Sequence, residues 1–453
     1  MYLIFRFFLI ACLLFLLFVV LIKTLFSTSK PHKNLPPSPR RLPLIGNLHQ
    51  LGYNPHRTLR AMAQIYGPMM LIRLGTVPVL VASSVDAARE IMKTHDLIFS
   101  NRPKLNIPGR LCYGSKDIAF SQYGEYWRQV KSIAVLHLLS NKRVQSYRVA
   151  LGRTYDGKKF KGLLERFLEL LGSFTVGSYI PWLTWVDRLS GLERRADEVA
   201  KEFDEFLEGV IEQRLNKKGV GVVTQYLVDI LLEIQKDNTT GFRLERDAIK
   251  AIIMDVFSAG TDTTFTNLEW AICELLRHPQ TMRRLQQEAR EVGQGKSMIT
   301  EDNLDNMPYL KAVLKETLRL HAPVPLLLLR ESTQDVKLLG YDITAGTQVI
   351  INAWAIARDG STWEEPDKFR PERFLDSPID YKGLHFELIP FGAGRRGCPG
   401  IQFAMVVNEL VFANLVYKFD FSSTDGEDLD MSESIGLTVR KKCPILVVAT
   451  PRC

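Results

Sequence analysis

The chain has 453 residues, of which 46% are hydrophobic and 24% are charged, an ordinary composition for a folded protein with a substantial core. Its 58 basic and 50 acidic residues leave a formal charge of +8. No dense Lys/Arg stripe with interleaved aromatics is present, so the charge favours a membrane surface or an acidic protein partner over nucleic acid. The six cysteines are scattered without a Cys-x-x-Cys pair, which indicates neither zinc nor a disulfide framework and fits a reducing compartment.

The N-terminal segment has the pattern of a membrane anchor. Residues 7–22 are uninterrupted apolar, and residues 1–26 are long enough to span a bilayer because Arg6 and Lys23 can extend to its surfaces. No small-residue cleavage site follows, which favours a retained anchor over a cleaved signal peptide. Basic residues are more numerous after this segment than before it, so the rest of the chain is expected in the cytosol. The proline-rich residues 27–46 are predicted to form a stiff linker.

The next part of the chain alternates between strand, helix and loop patterns. Residues 69–82 are predicted to form a β-hairpin around a Gly-Thr turn, and residues 85–94 have a helical pattern. Residues 99–122, rich in Pro and Gly, show no clear period. A helix follows in which Trp127 and Arg128 are adjacent and therefore cannot share one face.

The longest predicted helix covers residues 247–277 and follows two amphipathic helices that flank an aromatic segment at residues 180–185. That aromatic segment suits either lipid headgroups or a protein core. Inside the long helix, residues 259–264 read Ala-Gly-Thr-Asp-Thr-Thr. Small and hydroxylated residues are poor helix formers. They predict a local widening in which hydroxyls bond freed backbone groups, with a close helix crossing as the alternative.

Two charged motifs lie downstream of this helix. Glu316 and Arg319 are one helical turn apart, a spacing that by itself usually marks a surface ion pair of little energetic weight. Arg373 follows in a Pro-Glu-Arg-Phe segment. Between them, an apolar run ends at Arg330.

A glycine-rich loop near the C-terminus carries the strongest chemical signal. Residues 390–400 read Pro-Phe-Gly-Ala-Gly-Arg-Arg-Gly-Cys-Pro-Gly, and an apolar helix pattern follows. The thiol of Cys398 therefore lies just ahead of a helix N-terminus, where free N–H groups and the helix dipole favour a thiolate. Such a cysteine could be a nucleophile, a metal ligand or a buried small hydrophobe.

The full pattern Phe-x-x-Gly-x-Arg-x-Cys-x-Gly resembles the haem-binding loop of the cytochrome P-450 family, and of its plant microsomal branch in particular. The motif at residues 259–264, the Glu316–Arg319 pair and Arg373 resemble three further signatures of that family in the expected order. The resemblance implies a mainly α fold with a small β region, formed by one haem-centred catalytic domain at residues 47–453. It also implies haem b as the cofactor, with Cys398 as the axial ligand of its iron.

The family resemblance assigns roles to individual residues. Ala259 and Gly260 would leave room for dioxygen, Asp262 would supply protons, and the Thr263 hydroxyl would donate to the distal oxygen. Contacts to the haem are implied for Trp127, Arg128, Arg330, Phe391, Arg396, Cys398 and Gly400. Glu316, Arg319 and Arg373 would form a structural triad, and residues 435–438 would form a turn that contacts the substrate. Leu329 stands where this branch often has proline.

The resemblance also implies an internal deletion between residues 148 and 149. Sequences of this kind carry a helical linker on the order of three to four dozen residues at this place. The missing helices would pack beneath the central helix and the helix after Cys398, so their loss should expose apolar surface. That loss costs several kcal/mol for each large side chain.

The predicted reaction inserts one atom of O2 into a small hydrophobic substrate of plant specialised metabolism, at the endoplasmic reticulum membrane with the catalytic domain facing the cytosol. Electrons would come from NADPH through a cytochrome P-450 reductase. The basic residues expected to dock that reductase are Lys131, Lys142, Arg143 and Arg395. Two alternatives remain: a haem-thiolate isomerase or dehydratase that needs no O2, and a shortened, non-catalytic chain that does not assemble haem. The intact Asp262–Thr263 pair argues against the isomerase.

Overall fold

The structure is a computed structural model that describes residues 6, 10–19, 34–139, 157–216, 227–236, 244–423, 429–434 and 436–452. Helices dominate it. The α-helices are α1 (Pro55–Tyr66), α2 (Val85–Arg89), α3 (Asn106–Leu111), α4 (Glu125–Ile133), α5 (Gly157–Leu171), α6 (Val176–Tyr179), α7 (Thr184–Leu189), α8 (Leu192–Asn216), α9 (Leu227–Lys236), α10 (Arg246–Arg277), α11 (Pro279–Gly293), α12 (Pro308–Leu320), α13 (Ala353–Ile356) and α14 (Ile401–Lys418). The strands are β1 (Met69–Leu74), β2 (Val77–Ala82), β3 (Arg330–Glu331), β4 (Val336–Leu338), β5 (Tyr341–Ile343), β6 (Gln348–Ile351), β7 (Phe419–Ser423), β8 (Glu433–Ser434), β9 (Arg440–Lys441) and β10 (Val447–Pro451).

The largest sheet among these strands has the order β1-β2-β6-β3. Strands β1 and β2 form the predicted antiparallel hairpin, with Met69 opposite Ala82. Strand β6 then pairs with β2 in parallel, and all four residues of β6 are buried. Strand β3 pairs antiparallel with β6, so Arg330 lies opposite Val349. The sheet therefore fixes Arg330 relative to the N-terminal hairpin.

Helix α10 begins one residue before the predicted start and ends at the predicted residue. The expected widening at residues 259–264 is wrong, because the helix is continuous through them. The hydroxyl of Ser258 donates to the Met254 carbonyl at 2.8 Å, and that of Thr263 to the Ala259 carbonyl at 2.6 Å. A carbonyl oxygen has two lone pairs, so it accepts such a hydroxyl and its helical N–H together.

Two other predicted segments differ in detail. The helical pattern at residues 85–94 becomes α2 followed by a π-helix over Glu90–Thr94. The loop at residues 99–122 contains the short helix α3. In the aromatic segment at residues 180–185, Ile180 is buried, but Trp182 and Trp185 are 53% and 55% exposed, so these two side chains are not part of the core.

The core lies on both sides of α10. One cluster packs its N-terminal half against α4, α5, α8 and α9, and another packs its C-terminal half with α11, α12 and α14. Trp270 of α10 is buried and stacks on His321 at the end of α12, with ring centroids 4.2 Å apart. This contact joins α10, which carries the motif at residues 259–264, to α12, which carries the Glu316–Arg319 pair.

Helices α10 and α14 also keep apolar side chains exposed. Phe265 of α10 is 54% exposed and Val411 of α14 is 40% exposed, although α14 is apolar on all its faces and such helices are normally buried. Leu136, just after α4, is 63% exposed. The predicted deletion itself lies outside the described residues. Phe265 and Val411 lie on the two helices that the missing segment was expected to cover.

Replacing Phe265 by serine should therefore change the free energy of unfolding by less than about 0.5 kcal/mol. Replacing Trp270, five residues later on the same helix, by alanine should cost about 3–5 kcal/mol, because it empties a packed site. Urea unfolding followed by circular dichroism measures both. A loss of 2 kcal/mol or more for Phe265→Ser would mean that another part of the protein covers this side chain in solution.

Within the part of the chain that the structure describes, no helix is both long enough and apolar enough to cross a membrane. Residues 10–19 are helical and exposed. The remainder of the predicted anchor at residues 1–26, apart from Arg6, lies outside the described residues, as does the beginning of the linker.

Candidate functional site

The loop before Cys398 is shaped by glycines. Gly392 and Gly394 both have φ of +69°, a conformation that side chains rarely adopt. A Cβ at Gly394 would also collide with the Met92 carbonyl oxygen. The loop closes where the Cys398 N–H donates to the Phe391 carbonyl at 3.0 Å, and helix α14 begins three residues later.

Cys398 faces a cavity of about 290 Å³ that is bounded by its own loop, α4, α10 and the segment after α12. The wall is mainly apolar. Ten of the predicted site residues line it, namely Trp127, Ala259, Gly260, Asp262, Thr263, Arg330, Phe391, Arg396, Cys398 and Gly400. Residues that the sequence separates by more than two hundred positions therefore meet around one space.

The thiol of Cys398 is accessible from the cavity yet surrounded closely by protein. Burial raises its pKa above the ordinary value, while the Gly400 N–H, 3.3 Å from Sγ, and the charge of Lys131 lower it. The sequence predicted that the helix N-terminus would favour the thiolate. In the protein alone, burial outweighs the Gly400 N–H and the charge of Lys131, and a further positive partner at the sulfur would favour the thiolate.

Three buried arginines lie along one side of the cavity: Arg102, Arg330 and Arg396. Each donates to main-chain carbonyls; for example, Arg396 bonds the carbonyls of Ser100 and Ser121 at 2.7 and 2.6 Å. Burial lowers the pKa of Arg330 to about 10, and burial with the nearby charge of Arg330 lowers that of Arg396 to about 9. The pKa of Arg102 is lowered by burial and by the other two arginines.

This donor set fits the two propionates of a haem. Crowded, desolvated guanidinium groups are stabilised by anions and form charge-assisted, often bidentate hydrogen bonds with carboxylates. The acidic neighbours in the structure are Asp96, 3.6 Å from Arg330, and Asp117, whose own pKa burial raises to about 6. Together with a thiol facing the same space, the residues present fit haem with Cys398 as its ligand.

Arg128 does not reach the cavity. Its side chain is exposed and lies 5.9 Å from the centre of the Tyr123 ring, whereas Trp127 is buried and donates from Nε1 to the Ile118 carbonyl at 3.0 Å. Consecutive helical residues point about 100° apart, so one of the pair had to face away. Lys131, four residues after Trp127, shares its face and lines the cavity. The prediction that Arg128 faces the site is therefore wrong, and Lys131 occupies the cavity wall in its place.

This placement also changes the expected reductase surface. Lys131 is directed inward: its Nζ donates to the Arg395 carbonyl and lies 5.1 Å from the Trp127 ring centre. Arg395 itself is 54% exposed and pairs with Asp96 at 3.2 Å. Lys142 and Arg143 lie outside the described residues.

Asp262 and Thr263 of α10 both line the cavity, but their side chains do not hydrogen-bond each other. Asp262 is buried, and its Oδ2 accepts from the Thr438 hydroxyl at 2.6 Å. Its Oδ1 pairs with Arg440 of β9. The Thr263 hydroxyl donates to Ala259, as described above. A Cβ placed on Gly260 would have no neighbour within 4 Å, so there is space for a small molecule beside Thr263.

Glu316, Arg319 and Arg373 meet in a buried network. Arg319 donates from Nε and Nη2 to the two carboxylate oxygens of Glu316 at 2.7 and 2.9 Å, and Arg373 adds a bond of 3.1 Å. The remaining Arg319 hydrogens go to the carbonyls of Ala357, Pro366 and Lys368, at 2.7, 2.6 and 3.1 Å. A buried network with its bonds satisfied fixes the geometry of the segments it joins. These residues lie away from the cavity wall.

Sequence reasoning missed Asp255, which lines the cavity from α10. Its Oδ2 accepts from the Ile118 N–H at 2.5 Å. Burial raises the pKa of Asp255 well above its ordinary value, and the charge of Asp117 adds to the effect. Its spacing of four residues before Ala259 and seven before Asp262 puts it on the same helical face, a signal that could have identified it.

Replacing Arg330 by methionine should weaken haem binding by about 10- to 100-fold, since a charge-assisted hydrogen bond contributes about 1.5–3 kcal/mol. The unfolding free energy of the haem-free chain should not fall comparably, because the variant removes a buried cation. Haem transfer to apomyoglobin and urea unfolding measure the two quantities. Arg395→Met is the matched control in the same region and should retain haem normally. Equal loss of haem in both variants would contradict the assignment of Arg330 to a haem propionate.

Comparisons with known proteins agree with this geometry. The family model for cytochrome P450 matches residues 36–150 and 145–448, in two parts that meet at the position of the predicted deletion. A 3-beta-hydroxylase of Tanacetum parthenium is 53% identical over 484 aligned positions, and cytochrome P450 71A4 of Solanum melongena is 53% identical over 493; each alignment covers 97% of both chains. Both alignments are longer than the 453 residues of this chain, so each relative has residues that this chain lacks.

A solved structure of a zebra fish cytochrome P450 with abiraterone has a TM-score of 0.72 and 27% sequence identity. The match covers 88% of this chain and all of that one. The mainly helical fold with a small sheet region is thus shared with a haem protein of known structure. On its motifs, its fold and its relatives, the chain belongs to the cytochrome P450 family.

Proposed function

We propose that the chain is a haem-thiolate monooxygenase that inserts one atom of O2 into a small hydrophobic substrate. One observation carries the proposal: the Cys398 thiol, the buried arginines and the Asp262–Thr263 pair border a single apolar cavity. Cys398 would ligate the iron of haem b, which in this ligation supplies the activation of dioxygen.

The protein's own residues would bind the haem, exclude water from the cavity and supply the proton. Arg330, Arg396 and Arg102 hold the propionates, and Lys131 adds a fourth cation at the same wall. The apolar lining excludes water, which strengthens every electrostatic contact inside the cavity. Asp262 and Thr263 both line the cavity beside the open space at Gly260, where a proton is needed.

The substrate class follows from the cavity wall and from the relatives. Isoleucine, leucine and phenylalanine side chains line the wall from the loop before α4, from α5 and from the segment after α12, which suits a small hydrophobic molecule. The relative from Tanacetum parthenium is named as a 3-beta-hydroxylase, an activity that adds oxygen. We therefore assign this chain to a hydroxylation in plant specialised metabolism.

The proposal includes a membrane and a redox partner. Residues 1–26 would anchor the protein in the endoplasmic reticulum membrane, with residues 47–453 in the cytosol. The exposed Trp182 and Trp185 suit the lipid interface, where tryptophan is enriched. Two electrons would come from NADPH through a cytochrome P-450 reductase, for which the exposed Arg395 remains a docking residue.

The test is the reduced carbon monoxide difference spectrum of the purified chain after expression with a haem precursor. A strongly red-shifted band would show a thiolate-ligated haem. With the reductase and substrate mixtures, NADPH oxidation should then require O2 and give products heavier by one oxygen atom. Turnover without O2 would instead identify the isomerase or dehydratase.

A second candidate is favoured by the exposed Phe265 and Val411 and by the two-part match of the family model. In this alternative, the shortened chain keeps the fold but does not retain haem, because it lacks the helices that the family resemblance implies beneath α10 and α14. The absence of any carbon monoxide band would support it. Restoring the missing segment from a relative should then recover the band.

A further inference from the structure

An acid from the N-terminal half of the chain reaches the loop that carries the thiol. Residues 390–400 are called the cysteine loop below. A π-helix covers Glu90–Thr94, a wide turn of a kind that is rare and often found at functional sites, and Asp96 follows it. A Cβ on Gly394 would lie 2.5 Å from Asp96 Oδ1. The glycine at this position therefore lets the Asp96 carboxylate approach the backbone of the cysteine loop.

The Asp96 carboxylate holds the cysteine loop by its main chain. The Arg395 N–H donates to both carboxylate oxygens, with distances of 3.3 Å to Oδ1 and 3.1 Å to Oδ2. The Arg395 guanidinium lies 3.2 Å from Oδ2 as well. The bonded N–H is three residues before Cys398. Asp96 therefore anchors the cysteine loop from outside, close to the proposed ligand.

The same carboxylate faces an arginine that is assigned to a haem propionate. Asp96 Oδ1 lies 3.6 Å from Arg330 Nη1, and only 14% of the Asp96 side chain is exposed. Arg330 in turn donates from Nη2 to the Ala393 carbonyl of the cysteine loop at 2.9 Å. Burial lowers the pKa of Arg330 and of Lys131, and the charge of Asp96 opposes that lowering in both. One side chain thus contacts both the cysteine loop and a propionate arginine.

The position of Asp96 is fixed by the chain that follows it. Its carbonyl accepts from the Ser100 hydroxyl at 2.6 Å, and the Ser100 carbonyl accepts from Arg396 Nε at 2.7 Å. Arg102, another buried arginine of the cavity wall, lies six residues after Asp96. The segment that begins at Asp96 is therefore in contact with, or contains, each of the three buried arginines.

We propose that Asp96 is a positioning residue for the haem, which sets the cysteine loop and Arg330 at a fixed separation so that one haem meets both. Asp96 does not line the cavity, so it acts through these two neighbours. Residues that orient the ligand of a metal from outside typically change metal affinity or activity by 10- to 100-fold when replaced. This inference rests on the proposed ligation by Cys398 and adds a residue to it.

The first test uses the full chain without haem. In Asp96→Ala, iodoacetamide should alkylate Cys398 about 10-fold faster than in the parent chain, because losing a charged acceptor lets the cysteine loop open more often. Mass spectrometry of the cysteine peptides measures the rate. The buried Cys112 and Cys273 are internal controls and should react as in the parent. Asp96→Asn keeps an oxygen for the Arg395 N–H and should return the Cys398 rate close to that of the parent.

The second test uses the haem-loaded chain. Haem transfer to apomyoglobin should be about 10-fold faster from both Asp96→Ala and Asp96→Asn, because both lack the charge that orients Arg330. In Asp96→Ala, a smaller share of the remaining haem should give the red-shifted carbon monoxide band, and Asp96→Asn should restore that share. Glu90→Ala is the matched control, since Glu90 is an acid of the same π-helix that is 28% exposed and lies 3.5 Å from His95. It should match the parent in every measurement.

The outcomes separate this inference from the proposed function. If Cys398 of Asp96→Ala is alkylated at the parent rate, the positioning role is refuted. Equal acceleration at Cys112 and Cys273 also refutes it, because the whole chain rather than the cysteine loop would then be loosened. Failure of Asp96→Asn to restore the alkylation rate refutes the anchor as well. If the parent takes up no haem, the proposed function fails, whereas selective acceleration at Cys398 would still support the anchor and its absence would refute it.

Discussion

Replacing Cys398 by alanine is expected to abolish the red-shifted carbon monoxide band and to reduce haem occupancy at least 10-fold, while the circular dichroism spectrum stays that of a helical protein. The reason is local. The Cys398 thiol lies at the end of the glycine-rich loop. Among the described residues, its one hydrogen bond is accepted from the Gly400 N–H, two residues later. Alanine therefore removes the proposed ligand without breaking a core contact. Haem content by the pyridine haemochrome assay and the difference spectrum measure the effect.

Cys112 supplies the matched control, because it lines the same cavity from the end of α3 and is buried. Burial raises the pKa of its thiol well above the ordinary value, which makes it a poor anionic ligand. Cys112→Ala should keep the band. If the carbon monoxide band survived in Cys398→Ala and disappeared in Cys112→Ala, Cys112 rather than Cys398 would be the haem ligand.

Replacing Glu316 by glutamine is the second substitution expected to have a large effect, on folding rather than on the cavity. It leaves Arg319 and Arg373 without their shared carboxylate, and removing one partner of a buried charge network typically costs about 3–5 kcal/mol. Since whole domains are stable by about 5–15 kcal/mol, little folded protein should accumulate. Soluble yield, urea unfolding and haem content should all decrease together.

The control is an ion pair with the same spacing on the surface. Asp86 and Arg89 are also three residues apart on a helix, but they are 76% and 43% exposed. Asp86→Asn should change stability by less than about 1 kcal/mol. If Glu316→Gln were equally mild, the buried network would not be what holds the segments beneath the cavity.

Sequence reasoning succeeded where the information is local. The boundaries of α10, the hairpin β1–β2 and the loop before Cys398 follow from hydrophobic period, turn residues and glycine spacing within short windows. The Glu316–Arg319 pair was also visible, because a spacing of three residues defines one helical face. The same rule, applied to Trp127, selects Lys131 rather than Arg128.

Asp255 had a local signal in its helical spacing, but the other missed contacts join distant stretches of chain. Nothing in the segment around Arg102 indicates that its guanidinium bonds the carbonyls of Leu328 and Leu329, at 2.7 and 2.6 Å. Likewise, the partners of Asp262 come from the far end of the sequence. Only the packed fold shows that burial raises the pKa of the Cys398 thiol in spite of the Gly400 N–H and the charge of Lys131.

The parallel pairing of β2 with β6 has a consequence for synthesis. Val79 lies opposite Gln348, so the hairpin leaves the ribosome long before the strand that completes its sheet. At roughly 5–20 residues per second, the edge of β2 waits on the order of ten seconds or more with unpaired backbone groups. Nascent chains halted before residue 348 should therefore be protease-sensitive and chaperone-bound, and release from chaperones should begin only once β6 has emerged.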